Sequence, residues 1–263
     1  MSDETSSDAQ ANYGEILAAE IDSGLRELER PAKGLLLSAL SAGLDVGFSL
    51  LMMAALSHHL EGSVSPGVQH VLVANMYAVG FLFVVIGRSE LFTEHTTHAV
   101  LPVLDGKASL AQLARLWLFV FVANQAGAAL FATGVGLLGP RLGVAPVPVL
   151  ARIAHELTDH PSPVILASGV LAGWMMGLLS WLVKAVKDTT AMMLVVWMIT
   201  AGIGLAGLHH CVVGTTEILA AVVAGSDVSV FEWLRFLLWA TIGNVIGGVV
   251  FVALIKYSHA TRS

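Results

Sequence analysis

Arg88-Ser89-Glu90-Leu91-Phe92-Thr93-Glu94-His95-Thr96-Thr97-His98 is the stretch that decides how the chain folds. It lies inside residues 68–104, a run otherwise apolar and longer than the roughly 20 helical residues that cross a bilayer core. An arginine, two glutamates and two histidines at that depth are costly unless kept away from lipid, so each is a functional candidate by default. Gly87-Arg88-Ser89-Glu90 reads as unwound backbone joining two half-helices. Unpaired amides are tolerated in a membrane only against protein or a wet cavity, and a pore is the economical reason for them. A second stretch has the same character. Thr200-Ala201-Gly202-Ile203-Gly204-Leu205-Ala206-Gly207 interrupts residues 189–224 and is followed by His209-His210-Cys211-Val212-Val213-Gly214-Thr215-Thr216-Glu217.

Outward from these breaks the rest of the chain is apolar. Of 263 residues 56% are hydrophobic and 12% charged, with mean hydropathy +0.79, whereas a soluble domain carries about a quarter charged residues. Six spans are expected, at about residues 31–56, 68–104, 109–139, 160–186, 189–224 and 229–257. The expected organisation is an acidic N-terminal tail over 1–30 with an amphipathic stretch, a membrane domain over 31–257 and a short tail over 258–263. Asp3, Glu4, Asp8, Glu15, Glu20, Asp22, Glu27 and Glu29 outnumber Arg26 and Arg30 in the first segment, which has no apolar core beside a basic start and so does not read as a cleaved signal peptide. The net charge of −6 speaks against nucleic acid as a partner. Cys211 is the only cysteine, and packing rather than redox chemistry is its expected role. Arg26, Arg30, Lys33, Lys107, Arg115, Lys184, Lys187, Lys256 and Arg262 fall on the side that carries both termini, against Arg141, Arg152 and Arg235 on the other. That bias predicts cytoplasmic termini.

The chain also repeats itself. A shift of 130 residues aligns Pro31, Ser38, Ala42, Gly43 and Gly47 with Pro161, Ser168, Ala172, Gly173 and Gly177, and a shift of 120 aligns Asn124, Gly127 and Phe131 with Asn244, Gly247 and Phe251. Three spans per unit is an odd number, so the two units must be inverted, with spans two and five as partners. Small residues at matched places let helix backbones approach, which is their packing role. The two breaks then meet near the midplane, where half-helix N-termini present partial positive charge to an anion.

Several readings of the polar residues follow. Arg88 cannot shed its proton, so it needs an anion or a carboxylate, and Glu90, Glu94 and Glu217 are the available charge partners. It is expected to bind an anion, to gate the pore, or to form a structural ion pair. His95 and His98 lie three apart and share a helical face. A membrane-embedded metal enzyme using Glu94, His95, His98, His209, His210 and Glu217 is one alternative, though no metal or cofactor is expected. A pore for small neutral solutes is another.

Ser89-Glu90-Leu91-Phe92-Thr93, Gly173-Trp174-Met175-Met176-Gly177, Gly207-Leu208-His209-His210 and Thr241-Ile242-Gly243-Asn244-Val245-Ile246-Gly247-Gly248, in that order over most of residues 31–257, resemble the formate/nitrite transporter family. The resemblance implies an all-α integral membrane fold of six transmembrane helices, an aquaporin-like inverted 3+3 repeat with broken second and fifth helices. It further implies a homopentamer in a bacterial or archaeal inner membrane, not an enzyme, passing small monovalent anions of weak acids such as formate, nitrite or hydrosulfide. Under it His210 is the central pore histidine, Thr93 stands near that histidine, and Leu91 and Phe92 sit beside constrictions; Arg88, Glu94 and His209 are further polar and anion-binding candidates. The sequence departs from the family pattern at His209, Gly214, Gly173 and Arg88, which suggests a divergent branch. Proton linkage through His210 is the expected mechanism, because a neutral acid crosses an apolar constriction far more easily than its anion.

Overall fold

The computed structural model describes residues 12–262. Asp3, Glu4 and Asp8 of the acidic tail lie outside the described residues. Helix α1 (Tyr13–Glu29) is started by a capping box: Asn12 Oδ1 accepts the Glu15 N–H, and Glu15 Oε2 accepts the Asn12 N–H, both at 3.0 Å. One face buries Ile16, Leu17, Ile21 and Leu28 on the membrane domain.

The first crossing is α2 (Ala32–Leu60) and the second begins with α3 (Pro66–Gly87). After the break at 88–91 come the short turns α4 (Phe92–His95) and α5 (Leu101–Leu104), and then the third crossing, α6 (Leu110–Leu142). An amphipathic helix, α7 (Val147–Thr158), precedes the second unit. That unit comprises α8 (Ser162–Ala185), α9 (Thr189–Leu205), a break at 206–212, α10 (Val213–Val223) and α11 (Val230–Thr261). Five of these helices are long and apolar enough to cross a membrane alone; the remaining crossing, fifth along the chain, is shared between the shorter α9 and α10. No strand occurs among the described residues.

The two sequence shifts have a structural cause. A Cβ on Gly43 would meet the Asn124 carbonyl oxygen at 2.2 Å, and one on Gly173 would meet that of Asn244 at 2.2 Å. Gly127 lies under Leu40 O and Gly247 under Val170 O in the same way, at 2.3 and 2.2 Å. Crossings one and three of each unit therefore touch backbone to backbone at equivalent places. Helices α6 and α11 even share their start, Ser109 with Gln112 and Ser229 with Glu232 forming two capping boxes 120 residues apart. Tyr13 Oη donates to Lys256 O at 3.0 Å, which puts the two described chain ends on one side, as an even number of crossings requires.

Some expected edges moved. Break two begins later than the glycines suggest, because Gly202 and Gly204 are helical and Gly204 exists for contact: a Cβ there would stand 2.7 Å from Tyr77 Cβ. Unwinding comes at Gly207, in the left-handed region at φ 58°. His58 and His59, expected in a loop, close α2 instead, and the last helix runs past 257. Within α11 the turns widen to π geometry over Gly247–Leu254, and Thr97 Oγ1 donates to Gly248 O there at 3.2 Å.

Candidate functional site

Each break is held by one asparagine from the third crossing of its own unit. Asn124 Oδ1 accepts the Phe92 N–H at 2.8 Å, while its Nδ2 donates to Ala39 O at 2.7 Å and Glu90 O at 2.9 Å. Asn244 Oδ1 accepts the Cys211 N–H at 2.9 Å, and its Nδ2 donates to Gly169 O and His209 O, both at 2.9 Å. Irregular backbone buried at membrane depth needs such partners for the groups that a helix would have satisfied. Both asparagines are wholly buried, and the match of all three bonds places Glu90 opposite His209 and Phe92 opposite Cys211 in the repeat.

Between the breaks, Thr93 Oγ1 lies 2.8 Å from His210 Nε2. The His210 carbonyl accepts the Gly214 N–H, so the ring stands at the N-terminal end of α10, and its Nδ1 accepts the Val213 N–H at 3.3 Å. A neutral imidazole has one donor and one acceptor nitrogen, so this bond assigns the proton to Nε2. Nε2–H then donates to Thr93, whose own hydroxyl hydrogen is left to point at another acceptor. The Phe81 ring stands edge-on to His210 with centroids 5.3 Å apart. Both polar side chains are buried, and no carboxylate is among these contacts. The N-terminal end of α10 adds a partial positive charge at the same place.

The remaining sequence candidates separate. His209 serves its own surroundings: Nδ1 lies 2.8 Å from Ser168 Oγ and Nε2 3.1 Å from Leu157 O. Leu91 is wholly buried; Phe92 packs edge-on to Trp117 and Phe121 of α6. Arg88 makes none of its expected ion pairs. Glu90 is held by Arg30, with Nη1 to Oε1 at 2.7 Å, and its Oε2 lies 2.7 Å from His95 Nε2, within ion-pair reach though not aligned as a hydrogen bond. Among the described residues Glu94 Oε1 has no hydrogen-bond partner, and Glu156 of α7 is a charged neighbour of Glu217. The end of α1 brings Arg30 to Glu90, leaving Arg88 exposed on the wall of a cavity of about 530 Å³ that also touches Glu90, Glu94, His98 and Lys184. Its φ of 56° is the one left-handed backbone outside glycine among the described residues, and it corresponds in the repeat to Gly207. Among the described residues no three His, Cys, Asp or Glu side chains are grouped to hold a metal.

Sequence reasoning missed Arg30, Phe81 and the clamping role of Asn124 and Asn244. The asparagine pair carried a signal in the 120-residue shift; Arg30 and Phe81 carried none.

A sequence profile described as formate/nitrite transporter matches residues 14–258. The chain belongs to the formate/nitrite transporter family. Among relatives in that family, inner membrane protein YfdC of Escherichia coli (strain K12) is 34% identical over 240 residues, covering 90% of this chain and 75% of YfdC. Nitrite transporter NirC of Salmonella typhimurium is 30% identical over 238 residues, covering 87% of this chain and 83% of NirC. A solved pentameric formate channel with formate bound superposes with a TM-score of 0.74 at 22% identity, over 87% of this chain and 97% of that one, a likeness of fold. This formate/nitrite transporter family member is therefore an all-helical membrane transport protein and not an enzyme.

Proposed function

We propose that the chain passes small monovalent anions of weak acids, formate and nitrite foremost and hydrosulfide among the alternatives, together with a proton. The contact of Thr93 with His210 where the two breaks meet carries this reading. An anion at that point accepts the free Thr93 hydroxyl and meets the positive end of α10. Apolar residues close around it: Phe81 stands against the histidine and Leu91 leads into Thr93. A bare charge loses many kcal/mol of solvation in such surroundings, whereas the neutral acid loses little. Imidazole is the side chain that exchanges protons nearest neutral pH, and His210 is placed to pass to the anion a proton it has first taken up from water, returning to the neutral ring.

The face that carries both termini is cytoplasmic in this proposal, after the excess of Lys and Arg there, and the membrane is the inner membrane, as the name of YfdC says of that protein. Assembly is pentameric, supported by the fold shared with a pentameric channel. Arg88, without an ion-pair partner among the described residues, stands on the cavity wall and meets anions before they reach Thr93; His209 shapes the second break rather than binding solute.

Uptake of labelled formate into proteoliposomes at pH 5 and pH 7.5, with nitrite as competitor, tests the reading in wild type, His210→Ala and Arg88→Ala. Saturable uptake that rises in acid and falls at least tenfold in His210→Ala is expected, with a smaller fall in Arg88→Ala. Uptake appearing in Arg88→Ala alone would recast Arg88 as a plug. No uptake by any folded variant would sink the formate and nitrite assignment.

A further inference from the structure

The wall of the cavity on the termini side of break one includes Glu94 and His98, which neither the fold nor the Thr93–His210 contact uses. Glu90 stands at its edge, with 14% of its side chain exposed, between Arg30 and His95. The rings of His95 and His98 lie with centroids 4.6 Å apart, His95 wholly buried and His98 7% exposed. Glu94 follows Thr93 directly. Glu94 Oε1, His95 Nδ1 and His98 Nε2 are buried and, among the described residues, have no hydrogen-bond partner. A purely structural cluster would have satisfied them, since each unpaired buried group costs about 1–3 kcal/mol. Glu94 and His98 both form part of the cavity wall, and a polar space of about 530 Å³ holds water that can complete their bonds.

We propose that Glu94, with His98, His95 and Glu90, is a proton relay joining the Thr93–His210 centre to the termini-side cavity. The proposal rests on the proton-linked reading above and adds the route by which the proton leaves or arrives. Chains of Glu and His at membrane depth serve this purpose in transporters generally. When a neutral acid at the centre dissociates, its O–H bond breaks, the electron pair stays on the departing anion, and the proton forms a new O–H bond on the Glu94 carboxylate, directly or through water. Glu94 then yields it to cavity water, or to the open nitrogen of His98, so that HA becomes A⁻ plus H⁺ with no other reactant. Export runs the same steps backward. The groups facing Glu94 are Glu90 and His95 from its own segment, Lys184 from α8 and Glu20 from α1; His98 faces His95 and Lys184. Arg26 and Glu27 from α1 and Arg88 from the first break are the other charged groups on the wall.

The test uses full-length protein in liposomes loaded with a pH-sensitive dye, an imposed formate gradient and labelled formate, so that proton and anion are counted separately. Wild type, Glu94→Gln, Glu94→Asp, His98→Gln and His210→Ala are compared, each checked for unchanged elution in detergent. Glu94→Gln is expected to slow formate-driven proton movement at least tenfold and to flatten the dependence of formate uptake on pH. Glu94→Asp restores part of both, and His98→Gln slows proton movement severalfold. Wild-type proton movement and pH profile in both Glu94→Gln and His98→Gln would overturn the relay while leaving the proton-linked reading intact; should Glu94→Gln fail to fold, His98→Gln decides alone. Formate movement without protons in wild type would overturn that reading, and the relay with it.

Discussion

Glu20 shows how one side chain ties the N-terminal helix to the membrane domain. It is wholly buried under α8, where Ser180 Oγ donates to its Oε1 at 2.9 Å, while its Oε2 has no partner among the described residues; three residues on, Ser23 Oγ accepts from Lys184 Nζ at 3.2 Å. Burial pushes the Glu20 carboxyl up to about 7 from its ordinary 4.5, with Lys184 and the Ser180 hydrogen bond pulling the other way. The docked helix holds this group neutral over a range where the undocked one ionises. Docking is therefore strongest below about pH 4.5 and weakens as pH rises through about 7, by ~3 kcal/mol in all. Glu20→Gln keeps an acceptor for Ser180 and carries no charge. Amide exchange of α1 is expected to speed up between pH 5 and pH 8 in wild type, after correction for intrinsic rates, and to stay level in Glu20→Gln. A corrected exchange rate in wild type that is flat over that range would refute this account of the docking.

At the scale of elements, the breaks survive because a single asparagine supplies what a helix would have supplied. Truncating Asn244 to alanine strips partners from the Cys211 N–H and from the carbonyls of Gly169 and His209, all held near the centre of the second unit. Some of these groups find water, so the cost is set at about 3 kcal/mol rather than at the sum of three bonds. Asn124→Ala should cost about as much, since its bonds are equivalent, and both variants should lose formate uptake. Thermal unfolding in detergent checks the pairing, and a silent substitution at either position would break the proposed equivalence. These elements also show what the sequence discloses. The six crossings, the inverted repeat and both breaks are legible in the sequence, because apolar runs of that length have one use and polar groups within them are costly; the nearness of Thr93 to His210 follows from the family resemblance alone. Asn124 and Asn244 stand in the sequence as a matched pair that reads as helix packing; that their side chains reach into the breaks appears only in the fold. Gly204 misled for a related reason, since a glycine that unwinds a helix and one that admits Tyr77 look alike in sequence. Arg30 takes Glu90 across sixty residues of chain, a pairing no local pattern encodes. Helix α7, twelve residues of mixed character, falls between two expected spans where no apolar run of membrane length marks it.

Across the whole molecule the two units are interlocked rather than merely adjacent. Helix α10 of the second unit packs on α6 of the first so closely that a Cβ on Gly136 would meet Ala220 O at 2.7 Å. In the other direction, Thr96 and Thr97 of the first unit press on the π-wound part of α11. A Cβ on Gly248 would stand 2.1 Å from Thr96 Oγ1 and 3.2 Å from Thr97 Oγ1. Thr96 Oγ1 in turn donates to Thr93 O at 2.7 Å, so a methyl group on the last crossing acts on the residue that touches His210. Thr96 is short and branched and cannot swing clear, so the segment itself must shift. Gly248→Ala is therefore expected to fold with an overpacking cost of about 1–3 kcal/mol and to lose formate uptake at least tenfold, although Gly248 contacts neither Thr93 nor His210. Gly134→Ala is the matched control. That glycine lies within α6 with no foreign atom within 4 Å of its added Cβ, and alanine there should be neutral or stabilising by up to ~1 kcal/mol, with uptake unchanged. Uptake and thermal unfolding of the two variants, measured side by side, separate helix propensity from the coupling between units. Full uptake in Gly248→Ala would mean that the first break is positioned by its own unit alone.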